Sequence, residues 1–305
     1  MTITDVADKT IALKIAPSQA SVGAGVAVLR SLPTPALEAV GPFVFLDQFG
    51  PGKPPPEGVP AHPHAGIEAI SYLLSGENDH RDSFGNAGTI AAGGAQWISS
   101  GRGMLHAEIL RGGADGLMNT VQLWTRQPAA FDDQPPRYGS VAADNVPQIA
   151  LPGAHIKLLS GELPLYFGES GPIRLQGPAQ LIHIALVPGA SVMLPLEPSH
   201  EMAVYVLAGA AAIGGEEASR AELALLRPAP SVTLANPGAT PADVLLLGGE
   251  RTPRPWCFAA PMCSIRPRRS NRPIRTMWKA AWERSTACRF ERDGASTLIE
   301  APVDV

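Results

Sequence analysis

Hydrophobic positions in the first half of the chain fall in short, partly alternating runs. "AGVAVLRSL", "PFVFLDQFG", "IEAISYLL", "GTIAAGGAQWISS" and "NTVQLWTR" are each cut off by Gly, Pro or Asn. A period near two with frequent turn residues predicts antiparallel strands and an all-β sandwich or barrel. A Pro-, Asp- and Gln-rich stretch, "RQPAAFDDQPPRYGS" (126–140), then breaks the rhythm and reads as a linker. Strand-like runs resume with "AHIKLLSGEL", "AQLIHIALVPGASVMLPL", "EMAVYVLAGAAAIGG", "ELALLRP", "SVTLAN" and "ADVLLLGG". The strand pair around "YVLAGAAAIGG" parallels the one around "YLLSGENDHRDSFGN". Two tandem β domains, 1–135 and 136–250, are therefore expected.

Composition agrees with this. Apolar residues make up 45% of the 305 and charged residues 17%, with 31 each of Gly and Pro, which is globular and turn-rich. The opening "MTITDVADKT" carries acids and no apolar core, and no run of about 18 apolar residues occurs, so a cytoplasmic protein without a signal peptide or membrane span is expected. Charge is uneven. Residues 251–305 hold 11 Lys/Arg against 5 Asp/Glu, which leaves a net −10 on residues 1–250. An acidic body argues against direct contact with nucleic acid.

The candidate chemistry lies in "PAHPHAGIEAISYLLSG" (60–76). On a strand, His62 and His64 project to one face. His106 and Glu108, in "SGRGMLHAEIL", repeat that spacing. On neighbouring strands the two pairs would aim three imidazoles and one carboxylate at one point, a donor set for a divalent transition metal. A lone His-x-His pair is commonly a surface or satisfied core group, so spacing by itself leaves a structural role open. Of the other histidines, His80 falls in a stretch rich in Asn, Asp and Gly and reads as a hairpin tip or a residue at the pocket rim. His155 and His183 lie singly in apolar strands and read as structural. His200-Glu201 has no second histidine after it, and the second domain is expected to hold no metal.

Together with "GPFVFLDQFGP", the segments "PAHPHAGIEAISYLLSG" and "HRDSFGNAGTIAAGGAQWISSGRGMLHAE" resemble the pirins, bicupins of the cupin superfamily. The resemblance covers residues 20–128 closely and 155–250 loosely. It implies two tandem jelly-roll-like cupin barrels with Fe(II) in the first only, held by His62, His64, His106 and Glu108. Other divalent transition metals fit the same donors. It further implies a quercetin 2,3-dioxygenase-like activity on a small aromatic or enol substrate and O2. Glu108 would then be both ligand and catalytic base, and Phe43, Phe45, Ile70 and Trp97, core residues first, would supply the pocket wall. The rival reading is a redox-sensing iron protein that binds a protein partner, either a transcription factor or a metabolic enzyme. A monomer is expected in either case.

The resemblance stops at Glu250. Beyond it lie all three cysteines (Cys257, Cys263, Cys288), three of the five tryptophans and the excess of Arg. If each codon is shifted so that the first two bases of the present residue become its last two, family-like stretches become allowed from Arg251, Phe258 and Thr276. A frameshift after Glu250 would make 251–305 an aberrant, poorly ordered tail, whose basic charge marks no nucleic-acid site and whose cysteines are neither redox nor zinc ligands. The alternative is a genuinely divergent basic tail.

Overall fold

The computed structural model describes residues 8–22, 25–251, 289–292 and 295–298. β1 (Ile11–Ile15) is followed by β2 (Ser18–Val22), β3 (Val26–Leu32), β4 (Phe43–Gly52), β5 (Val59–His64) and β6 (Ile67–Ser75). Next come β7 (Glu77–Asp82), β8 (Ala87–Ala91), β9 (Ala95–Ser99), β10 (Met104–Arg111), β11 (Met118–Arg126) and β12 (Arg137–Val141). The second half contains β13 (Gln148–Leu151), β14 (Ala154–Ser160), β15 (Ala179–Leu186), β16 (Ser191–Pro195) and β17 (Glu201–Ala208). It continues with β18 (Ala210–Ile213), β19 (Glu216–Ser219), β20 (Leu223–Leu226), β21 (Ser231–Ala235) and β22 (Ala242–Gly249).

These strands form two jelly-roll cupin domains, each a seven-stranded sheet facing a four-stranded one rather than a closed barrel. The first has orders β12-β9-β6-β11-β4-β3-β2 and β5-β10-β7-β8; the second has β1-β20-β17-β22-β15-β14-β13 and β16-β21-β18-β19. The orders match place for place, so β6 corresponds to β17 and β10 to β21. Gly76 and Gly209 make equivalent turns after β6 and β17 with φ of 90° and 70°, a conformation that glycine adopts without strain.

The edge strands depart from expectation. Residues 126–140 are not simply a linker, because Arg137–Val141 form β12 and pair with β9. Its five residues bury Val141 and part of Tyr138, a contribution too short to stand out in a polar stretch. At the equivalent edge of the second domain sits β1, from near the start of the chain, paired with β20.

The two seven-stranded sheets pack back to back. Phe43, Leu46, Ile70, Tyr72 and Leu123 of the first share one apolar core with Tyr205, Leu223, Leu245 and Leu247 of the second. The second domain has an apolar interior of its own, built from residues such as Ile184, Val192, Leu194, Val204, Val232 and Leu234. The interior of the first holds only small apolar clusters, because polar side chains occupy its middle. The expected aberrant tail falls mostly on residues 252–288, 293–294 and 299–305, outside the described residues. Arg289–Arg292 and Ala295–Leu298 pair as an antiparallel ribbon, β23 and β24.

Candidate metal centre

β10 lies between β5 and β7, and its register decides which side chains meet. His106 pairs with His62 on β5 and with Asp82 on β7, while Glu108 pairs with His80. Between His106 and Glu108 the pairing with β5 shifts by a bulge. All four predicted donors therefore project into the space between the two sheets. Among the described residues, two groups bring ligand atoms within 4.8 Å of one another: His62, His64 and His106, and His80, His106 and Glu108. Ring centroids of His62 and His106 are 4.3 Å apart, and those of His64 and His106 are 4.9 Å apart.

Hydrogen bonds and unpartnered atoms mark the positions open to a metal. Nδ1 of His62 lies 2.8 Å from the Pro60 carbonyl oxygen and donates to it, which leaves the Nε2 lone pair free. Glu108 accepts on Oε1 from the side-chain amides of Asn78 and Gln96, both at 2.7 Å, and these two bonds leave its other oxygen free. Nδ1 of His64 and Nε2 of His106 are buried without a hydrogen-bond partner. Orphaned imidazole nitrogens of this kind are costly unless something binds them. Burial holds the His62, His64 and His106 imidazoles below the ordinary histidine pKa, the neighbouring rings adding to the effect on His64 and His106. Neutral imidazoles are the form that binds metal, so the residues present fit a divalent transition metal.

The structure corrects two sequence readings. His80 is neither a hairpin tip nor a rim residue; it is a buried member of β7, 1% exposed, between Glu108 and Asp82. The polar run "ENDHRD" alternates, with Asn78, His80 and Asp82 facing inward and their neighbours outward. That period-two pattern was the signal for His80, Asn78 and Asp82, and it was masked by turn-favouring residue types. For Phe43, Ile70 and Trp97 the core reading holds and the pocket-wall alternative does not. Phe43, Ile70 and Trp97 face the second domain. A pairing irregularity between Phe43 and Phe45 on β4 reverses the alternation, so Phe45 turns inward and stacks on Trp124 with centroids 4.0 Å apart. Trp124 meets the edge of His64 at 5.2 Å, and Tyr138 stacks on His80 at 4.3 Å. Phe45, Trp124 and Tyr138 thus make the aromatic surroundings. Gln96, Asn78, Asp82, Trp124 and Tyr138 were not foreseen.

In the second domain the strands equivalent to β5, β7 and β10 present Val192 and Leu194, Ala211 and Ile213, and Val232 and Leu234 to the interior. The Glu201 carboxylate instead accepts from the Gly41 backbone N–H at 2.8 Å, bridging the domains. A groove of about 710 Å³ between β3 and the 48–56 segment includes none of the four donors.

Residues 25–125 match the pirin family, and residues 181–264 match the pirin C-terminal cupin domain. A pirin-like protein of Caulobacter vibrioides is 33% identical over 229 residues, 72% of this chain and 77% of its own length. The chain belongs to the pirin family. A solved quercetin 2,3-dioxygenase from Acinetobacter baumannii is 26% identical, with a TM-score of 0.75 over 91% of this chain and 96% of that one. A bacterial pirin of Escherichia coli, solved in complex with nickel(II), shares the fold at 20% identity, with a TM-score of 0.61 over 79% and 99% of the two chains. Among the described residues no helix is long and apolar enough to cross a membrane.

Proposed function

We propose that the first domain of this pirin-family chain is an Fe(II) centre held by His62, His64, His106 and Glu108. In this reading it uses O2 to open the ring of a flavonol or a similar aromatic enol. The observation that carries this is the group of three imidazoles, His62, His64 and His106, joined through His106 to Glu108, with buried nitrogens of His64 and His106 left unpartnered. When bound, iron supplies a Lewis acid for the substrate's enol hydroxyl and a redox-active partner for O2. Glu108 would complete the donor set through the oxygen that Asn78 and Gln96 leave free, and would take the hydroxyl proton there when the metal does not hold that oxygen. Its oriented carboxylate, with Oε1 already doubly hydrogen-bonded, loses little freedom on doing so. Trp124, backed by the stacked ring of Phe45, lies beside His64 as apolar surroundings for an aromatic substrate, and the resemblance to a quercetin dioxygenase structure supports that class.

The test is an oxygen-electrode assay on iron-loaded protein with quercetin. Oxygen uptake that falls at least about 100-fold in His62→Ala is expected, since removing a ligand removes the metal. No uptake with any flavonol, and identical behaviour of the two proteins, would remove the enzyme reading and leave the redox-sensing partner binder.

A further inference from the structure

Behind the candidate ligands lies a second row of side chains. His80 Nδ1 is 3.3 Å from Nδ1 of His106. Its other nitrogen, Nε2, is 3.4 Å from Oδ2 of Asp82. Asp82 is fully buried. Its Oδ1 accepts the backbone N–H groups of Phe84 and Asn86 at 2.8 and 3.0 Å, and its Oδ2 accepts the Asn86 side-chain amide at 2.8 Å. Burial by itself would raise the Asp82 carboxyl, but the bonds from His80, Asn86 and Phe84 outweigh it and hold the group below the usual carboxylate value. Asp82 is therefore an ionised carboxylate that only accepts.

With one hydrogen on each ring, the protons along this row can be arranged in one order only. Because Asp82 accepts, the His80 nitrogen facing it must carry hydrogen. With that hydrogen on Nε2, the His80 Nδ1 is the acceptor, so the hydrogen between the two rings belongs to Nδ1 of His106. That leaves the His106 lone pair on Nε2, the atom that is buried and unpartnered. Tyr138 stacks on His80 with an interplanar angle of 9° and donates its own hydroxyl to Gln96, so the middle ring of the row is held in one plane.

We propose that Asp82 and His80 are positioning residues that fix the tautomer and orientation of His106, presenting its Nε2 to the metal. This rests on the reading of His106 as a ligand. His106 is the donor common to both groups of ligand atoms, so a row that sets its tautomer acts on the whole cluster. Partners of this kind typically change metal affinity by about 10- to 100-fold.

The experiment has a metal-free and a metal-bound arm. Long-range ¹⁵N–¹H spectra of histidine-labelled, metal-free protein should show His106 protonated at Nδ1. The His80→Phe variant keeps the ring stack on Tyr138 but removes the acceptor, and should lose that single tautomer. The His80→Gln variant offers a carbonyl oxygen in its place and should keep it. With Co(II) as probe in chelator competition, His80→Phe should bind about 10- to 100-fold more weakly and His80→Gln within a few-fold of the parent. A parent His106 protonated at Nε2, or unchanged Co(II) affinity in His80→Phe where His62→Ala has lost binding, would overturn the relay alone. Co(II) binding that survives His62→Ala would overturn the metal-site reading and the proposal with it.

Discussion

His62, His64 and His106 are held neutral mainly by burial, and this has a consequence for stability. An unfolded histidine takes up a proton near pH 6.5, whereas these three do so only at lower pH when folded. The unfolded state then binds more protons as pH falls, so the stability that is complete above about pH 6.5 is lost as pH drops toward the folded values. Metal-stripped protein should melt at a clearly lower temperature at about pH 5.5 than at about pH 7.5, and His64→Gln, with one fewer such imidazole, should show a smaller difference. Thermal melts at the two pH values check this. Glu68 is a different case. Its buried carboxylate accepts from Ser99, Thr125 and the backbone N–H of Gln176, and burial raises its pKa despite those bonds. Glu68→Ala strands several donors and should cost roughly 1–3 kcal/mol in denaturant unfolding.

At the level of elements, the irregularity in the β5–β10 pairing lies on β5, where the three-residue step from His62 to Val59 faces the two-residue step from His106 to Glu108. Gly58, at the turn into β5, has φ of +69°, and a Cβ there would run into the backbone carbonyl of Glu108. Gly58→Ala should therefore cost about 1–3 kcal/mol and should also weaken metal binding, because the backbone that must yield is the one carrying Glu108. Chelator competition beside a denaturant melt separates the two effects; an affinity equal to the parent's would show that β10 absorbs the strain elsewhere. The His-x-His and His-x-Glu spacings were legible because a strand has a fixed period of two. The inward turn of Phe45 was not, because one irregularity in pairing reverses that period and leaves no mark in residue type.

At the level of the molecule, the two domains are fastened by reciprocal tyrosines at equivalent places in β6 and β17. The Tyr72 hydroxyl donates to Nδ1 of His183 at 2.7 Å, and His183 in turn donates to Asp243 at 3.2 Å. The Tyr205 hydroxyl donates to the Gln48 side-chain oxygen at 2.8 Å, and the Gln48 amide donates to Asn119 at 2.9 Å. His183, expected to be merely structural, is thus one of the clasps. Because one apolar core spans both seven-stranded sheets, the domains should unfold together in a single calorimetric transition. Tyr205→Phe leaves the buried Gln48 oxygen without its donor and should lower stability by about 1–3 kcal/mol while the transition stays single. Two separated transitions would show that the shared core does not couple the halves.

Read alone, the chain determined what local chemistry can encode: strands from alternation, turns from Gly and Pro, a repeat from its rhythm, and ligand pairs from same-face spacing. The family resemblance joined those pairs into one candidate centre. The tertiary structure decided what depends on distant partners. It placed β1 at the edge of the second domain and β12 at the edge of the first, since edge strands are chosen by which open sheet the chain can reach. It buried His80 between Asp82 and His106, since a strand's polar face becomes interior only when another sheet closes over it. It also set Phe43, Ile70 and Trp97 into the seam between domains, since apolar residues on both faces of a sheet look alike until something packs against each face.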